Sequence, residues 1–294
     1  MTSIAFIGLG VMGGPMAANL VAAGYDVVAY DRSPARIESF VARGGRAGGA
    51  VADAATGVEV VITMLPDGPD VESVTLGEGG IFERAQPGTL HIDMSTISPE
   101  SALKLAGQAE SRALKFLDAA VSGGERSAIE GSLSIMVGGA EEDLQRVRGI
   151  FDTLGSTVVH VGPHGAGQIV KAANQLVVAG VIELVAEAMV FLEAHGLDTE
   201  LAMKVLAAGL AGNEVLARKG ASMRARNFAP GFRVALHHKD LGILTNAARQ
   251  AGVAMPLGVL VAQLMGALVA NGDGSLDHTA LLRLVEQLSG RGDH

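Results

Sequence analysis

The chain has 294 residues, more than one hydrophobic core usually serves, so two domains are expected. Hydrophobic residues make up 49% of it and charged residues 18%, which excludes a disordered chain. A net charge of −9, from 22 basic and 31 acidic residues, lacks the basic footprint that nucleic acid requires, and the absence of cysteine excludes disulfides and thiolate metal sites.

The chain opens with "MTSIAFIGLG", which has no basic n-region and runs directly into a glycine turn, so it does not read as a signal peptide. From Ser3 the same stretch reads as a buried strand. "MAANLVAAGY" follows with helical spacing and a stop at Gly24, then "DVVAYD" as a second strand. "SPARIESFVARGG" opens a helix with Ser33 as N-cap and Pro34 at the first helical position. "VEVVITMLP" and "TLHIDMS" are strands, and "SPESALKLAGQAESRA" is a helix with the same Ser-Pro opening. "KFLDAAV", "LSIMVGG" and "STVVHVG" complete the strand set.

Strands alternating with helices predict an α/β fold with a doubly wound, mostly parallel, Rossmann-like sheet. After Gly162 the strand runs largely disappear, and helical patterns with stops at Gly196 and Gly252 take over. The spacing predicts a dinucleotide-binding domain over 1–163 and an all-α domain over 164–294, joined by a long helix from about 166 to 194. At ~1.5 Å per residue that helix exceeds 40 Å, long enough to pack against a second subunit. A homodimer or homotetramer is therefore expected. The apolar run 175–192 is interrupted by Glu183 and Glu187, too costly a pair for a lipid-facing span, so no membrane partner and a cytoplasmic location are expected.

"FIGLGVMGGPM" holds G-x-G-x-x-G at Gly8, Gly10 and Gly13, after a strand and before a helix. Gly8 permits the tight turn, Gly10 lets the backbone approach a pyrophosphate, and Gly13 allows close helix–strand packing. Leu9, Val11 and Met12 complete the turn. About 20 residues on, the second strand ends in Asp31, an acidic group suited to the ribose hydroxyls of NAD. Asp31 repels a 2′-phosphate, whereas Arg32 beside it can pair with one. NAD(H) is favoured and NADP(H) stays possible.

With this fingerprint, "DAAVSGGERSAIEGSLSIMVGG" at 118–139 and "GQIVKAANQ" at 167–175, the chain resembles the β-hydroxyacid dehydrogenase family along its whole length. One departure is Ala120, where the family usually has proline before the valine of this loop. The resemblance implies reduction of a small anionic β-oxo acid to the hydroxy acid, with tartronate semialdehyde the expected substrate and 3-hydroxyisobutyrate the alternative; an NAD(P)-binding regulator that kept the fold without catalysis is the non-enzyme alternative.

It also implies Lys171 as the proton donor and acceptor. Independently, an ammonium on a largely apolar helix loses solvation, and that suits it to proton transfer, although a lysine near a helix end can also snorkel to water. Asn174, three residues on and on nearly the same face, is expected to orient the substrate oxygen. Ser122, Gly123 and Gly124 offer a hydroxyl and consecutive N–H groups, which the family uses for the substrate carboxylate. By the same resemblance, Met64, Leu65 and Pro66 border the cofactor and Thr96 bonds near the nicotinamide ribose. Lys239 reaches the cofactor or substrate, and Phe232 walls the pocket. His237 and His238 are adjacent on a helix and point apart, so no metal is expected.

Overall fold

The computed structural model describes residues 2–292, and in it the β-rich runs of the first half pair into one sheet. Its strands are β1 (Ser3–Ile7), β2 (Asp26–Tyr30), β3 (Arg46–Ala47), β4 (Val60–Thr63), β5 (Leu90–Asp93), β6 (Lys115–Ser122), β7 (Leu133–Gly139) and β8 (Gly155–Gly162). Their order is β3-β2-β1-β4-β5-β6-β7-β8, parallel throughout except where β7 runs antiparallel to β6. The chain winds outward from β1 in both directions, so the order reverses between β1 and β4, the position where α/β sheets bind ligands at their carboxyl ends.

Intervening helices are α1 (Gly13–Ala22), α2 (Pro34–Val41), α3 (Val51–Ala55), α4 (Gly68–Leu76), α5 (Ile81–Arg84) and α6 (Pro99–Glu110). Beyond β6 come α7 (Gly124–Glu130), α8 (Glu141–Arg146) and α9 (Arg148–Leu154). The central strands β1, β4 and β5 are buried on both faces, which explains why they read as continuous apolar runs rather than alternating ones. Ile4 and Phe6 of β1 join a core with Met16 and Leu20 of α1, while Ala5 and Ile7 join the opposite core with Ala54 and Ala55 of α3. Each large side chain buried this way contributes roughly 1.5–3 kcal/mol. Ser98 caps α6 by accepting the Ser101 N–H at 3.0 Å. Ser33 occupies the cap position of α2 but makes no side-chain cap bond. Its own N–H goes instead to Asp31, at 2.8 Å.

The chain divides into two compact units after Lys171. The long helix α10 spans Ala166–Ala194, and the second unit continues with α11 (Thr199–Ala208), α12 (Glu214–Arg224), α13 (Val234–Gln250), α14 (Pro256–Ala270) and α15 (Leu281–Leu288). By length and composition α10 is long and apolar enough to cross a membrane, yet half of its most apolar stretch is buried within the protein. Its Ala179, Ile182, Ala186 and Met189 are fully buried with Val234 and Leu241 of α13 and Val261, Met265 and Leu268 of α14. The helix is thus the central stave of the second unit's core.

Candidate active site

β1 delivers the chain into the glycine-rich turn, and each glycine there has a different reason. Gly8 has φ +101°, and a Cβ on it would lie 2.4 Å from the Met64 carbonyl oxygen. On Gly13 a Cβ would lie 1.9 Å from the Gly8 carbonyl oxygen. These two positions are closed by backbone. A Cβ on Gly10 would meet nothing within 4 Å, so the backbone there is bare toward open space. That is the cradle a pyrophosphate needs. α1 starts beside it with no side-chain cap and no acidic residue in its first turn, so the positive end of the helix keeps its capacity for an anion. Asp31 at the end of β2 braces the turn. Its carboxylate accepts the Leu9 N–H at 2.8 Å and the Ser33 N–H at 2.8 Å, with Arg36 at 3.5 Å. Arg32 is exposed.

Neighbouring strand ends are tied to each other below the turn. The Met64 N–H donates to Ile7 O at 3.0 Å, and the Leu65 N–H donates to the Ser95 hydroxyl at 2.9 Å. Thr63 donates its hydroxyl proton to Asp93 at 2.7 Å, which leaves its oxygen to accept from His91 Nε2 at 2.9 Å. Burial pushes the His91 pKa down to about 3, so the ring is neutral with its proton on Nε2. The carboxyl ends of β1, β4 and β5 are therefore held in fixed register.

Lys171 lies on the first turns of α10 and is 7% exposed. Its Nζ donates to the Val121 carbonyl at 2.8 Å. The ammonium is thus held inside the first unit, at the residue before Ser122, and not in bulk water. Ser122 closes β6. Gly123 has φ +134° and Gly124 has φ +70°, so the turn that follows excludes ordinary side chains. A Cβ on Gly124 would meet nothing within 4 Å, so this loop also presents bare backbone.

Comparison with known proteins decides the family. Residues 3–162 match the NAD binding domain of 6-phosphogluconate dehydrogenase, and residues 165–285 match the NAD-binding domain of NADP-dependent 3-hydroxyisobutyrate dehydrogenase. The chain belongs to the β-hydroxyacid dehydrogenase family. It is 38% identical over 286 residues to 2-hydroxy-3-oxopropionate reductase of Escherichia coli, covering 97% of this chain and 98% of the relative. It is equally 38% identical to 3-hydroxyisobutyrate dehydrogenase of Pseudomonas aeruginosa, over 294 residues and with the same coverage. Among solved structures, 3-hydroxyisobutyrate dehydrogenase of Mycobacterium tuberculosis with L-serine superposes with a TM-score of 0.88 at 36% identity, covering 97% of this chain and 99% of that one.

This β-hydroxyacid dehydrogenase is accordingly an NAD(P)-dependent oxidoreductase acting on CH–OH groups, built on a Rossmann-like domain followed by a helical one. Of the predicted residues, Asn174, Phe232 and Lys239 lie in the second unit. Asn174 donates its amide to Gln175 Oε1 at 2.8 Å, and Gln175 Nε2 donates to Asp240 Oδ2 at 2.6 Å. The other Asp240 oxygen lies 3.0 Å from Lys239 Nζ. Asn174 and Lys239 are therefore joined through two buried polar residues. Phe232 packs edge-on against His237 and His278. Burial, reinforced by His237, pushes the His278 pKa down to about 3, so this ring is neutral as well. Among the described residues, no group of three or more His, Cys, Asp and Glu side chains could hold a metal ion.

Sequence reasoning passed over Gln168, Gln175, Asp118 and Asp240. A signal for the first two was present: Gln168 and Gln175 flank Lys171 at three and four residues on a largely apolar helix, and so share its face. Asp118 and Asp240 carry no such pattern.

Proposed function

We propose that this enzyme reduces tartronate semialdehyde to D-glycerate with NAD(H). The observation that carries the reading is the Lys171 ammonium, 7% exposed and bonded at 2.8 Å to the carbonyl that leads into Ser122. NADH, when bound at the glycine-rich turn and flanked by Asp31, Met64, Leu65, Pro66 and Thr96, supplies the hydride. Lys171 then gives a proton to the substrate oxygen as that oxygen gains charge, and in the reverse direction takes it back. The Asn174 amide orients the same oxygen. The Ser122 hydroxyl and the N–H groups of Gly123 and Gly124 hold the carboxylate, and Lys239 and Phe232 complete the contacts to substrate and cofactor. The charge on Asp31, braced against the Leu9 N–H, supports NAD over NADP because a 2′-phosphate would be repelled there.

Two further readings belong to the same proposal. Val177, Leu184 and Phe191 recur every seven residues on α10 and are 62%, 56% and 63% exposed, which supports a homodimer or homotetramer built along that helix. A cytoplasmic location fits an enzyme that consumes reduced nicotinamide.

The competing reading is oxidation of 3-hydroxyisobutyrate or of L-serine, favoured by the equal 38% identity to the Pseudomonas enzyme and by the solved relative that holds L-serine. A substrate panel run with NADH and NADPH, or with their oxidised forms for the alcohols, separates the three. One substituent in the pocket is worth roughly 10–200-fold in kcat/KM. A preference of that size for tartronate semialdehyde with NADH supports the proposal. The same preference for either alternative overturns it.

A further inference from the structure

Gln168 is 1% exposed and carries its side-chain amide to β5's continuation. Its Nε2 donates to the Ser95 carbonyl at 2.9 Å, and its Oε1 accepts the Ile97 N–H at 3.1 Å. The amide therefore grips both sides of Thr96, pairing with that backbone as a neighbouring strand would. No other side chain fits without loss: glutamate lacks the donor, lysine and arginine lack the acceptor, and asparagine is one methylene short.

The backbone of Gln168 is fixed as firmly. Its N–H donates to Asp118 Oδ2 at 3.2 Å, and the Gly165 N–H donates to Asp118 Oδ1 at 2.7 Å. A Cβ on Gly167 would lie 2.5 Å from the Met136 carbonyl oxygen, and one on Gly138 would lie 2.7 Å from Asp118 Oδ1. The entry of α10 is thus packed backbone to backbone on β6 and β7. Burial raises the Asp118 pKa to about 6, with Asp93 adding to the rise, while the two N–H groups oppose it.

We infer that Gln168 is a positioning residue that sets the separation between the Thr96 strand end and the ammonium of Lys171, three residues further along the same helix. The inference rests on Lys171 being the proton donor. Thr96 belongs to the cofactor side and Lys171 to the substrate side, so the clamp fixes the hydride source relative to the proton source. A misplacement of ~1 Å at such a site can cost on the order of 100-fold in rate.

The test compares Gln168→Ala, Gln168→Glu and Lys171→Ala by kcat, KM for both ligands, and the deuterium isotope effect from 4-deuterated reduced nicotinamide. Circular dichroism establishes the folded fraction. For Gln168→Ala the expected result is a kcat lower by about tenfold or more. Its cofactor KM should be nearly unchanged and its isotope effect larger, because the chemical step becomes rate-limiting. Gln168→Glu keeps the size and loses the donor. Once protonated it can donate to Ser95 again, so its kcat relative to the wild type should climb as pH falls. A purely structural role would lower activity only with the folded fraction and leave the isotope effect alone, and that result overturns the inference. Should Gln168→Ala not fold, Gln168→Glu decides: a pH-independent ratio to the wild type overturns it equally. If Lys171→Ala is inactive while both Gln168 variants turn over normally, the clamp is wrong and the proton donor stands. If Lys171→Ala turns over normally, the proton-donor reading fails and the inference falls with it.

Discussion

Replacing Glu183 with glutamine should make the protein more stable at alkaline pH and leave it nearly unchanged at pH 4.5. Glu183 sits on α10 with 4% exposure, and among the described residues its Oε2 has no hydrogen-bond partner. Burial, reinforced by Glu187, raises its pKa from the usual 4.5 to about 7. The sign follows from where the proton is held. Below pH 4.5 the carboxyl is neutral both folded and unfolded. Between 4.5 and 7 the unfolded chain ionises while the native one does not, so stability falls as pH rises. Above 7 the loss is complete. A rise of this size corresponds to about 3 kcal/mol, and solvent screening on the Glu187 side reduces it to about 2 kcal/mol. Glutamine keeps the shape and cannot ionise, so Glu183→Gln removes the loss. Thermal unfolding followed by circular dichroism at pH 5 and pH 8 measures it. At ~2–4 °C per kcal/mol the variant should melt several degrees above the wild type at pH 8. Equal melting temperatures at pH 8, or a gain confined to pH 5, would refute the reasoning.

The two glycines of the turn should separate cofactor binding from folding. Gly10→Ala, whose Cβ meets open space, should leave stability within about 0.5 kcal/mol and weaken NADH binding about tenfold, read by fluorescence titration. Gly13→Ala, whose Cβ would lie 1.9 Å from backbone, should cost on the order of 1–3 kcal/mol or more in denaturant unfolding. Leu184→Glu should shift the protein to monomers in light scattering after gel filtration, and an unchanged mass would rule out that face of α10.

The fold was legible where burial is uniform. Strands β1, β4 and β5 are covered on both faces, so their apolar runs stand out in the sequence, and α10 begins and ends where its apolar period does. β3 escaped notice because it is two exposed residues, Arg46 and Ala47, with no pattern of their own. The glycine fingerprint was legible because each glycine answers a local backbone demand. The clamp around Thr96 was not, because Gln168 meets partners more than seventy residues away, and no local spacing records such a pairing. Asp118 is similar: nothing in "KFLDAAV" marks the carboxylate in the middle of β6 until Gly165 and Gln168 are seen to converge on it.

The rate of a single turnover in Lys171→Ala tests the central claim most directly. Enzyme preloaded with NADH is mixed with excess tartronate semialdehyde, and nicotinamide oxidation is followed by stopped flow. The account predicts a rate lower by ~10²–10⁴ with NADH affinity little changed, and partial recovery when a small primary amine is added to occupy the space left by the side chain. A single turnover as fast as the wild type's would contradict it.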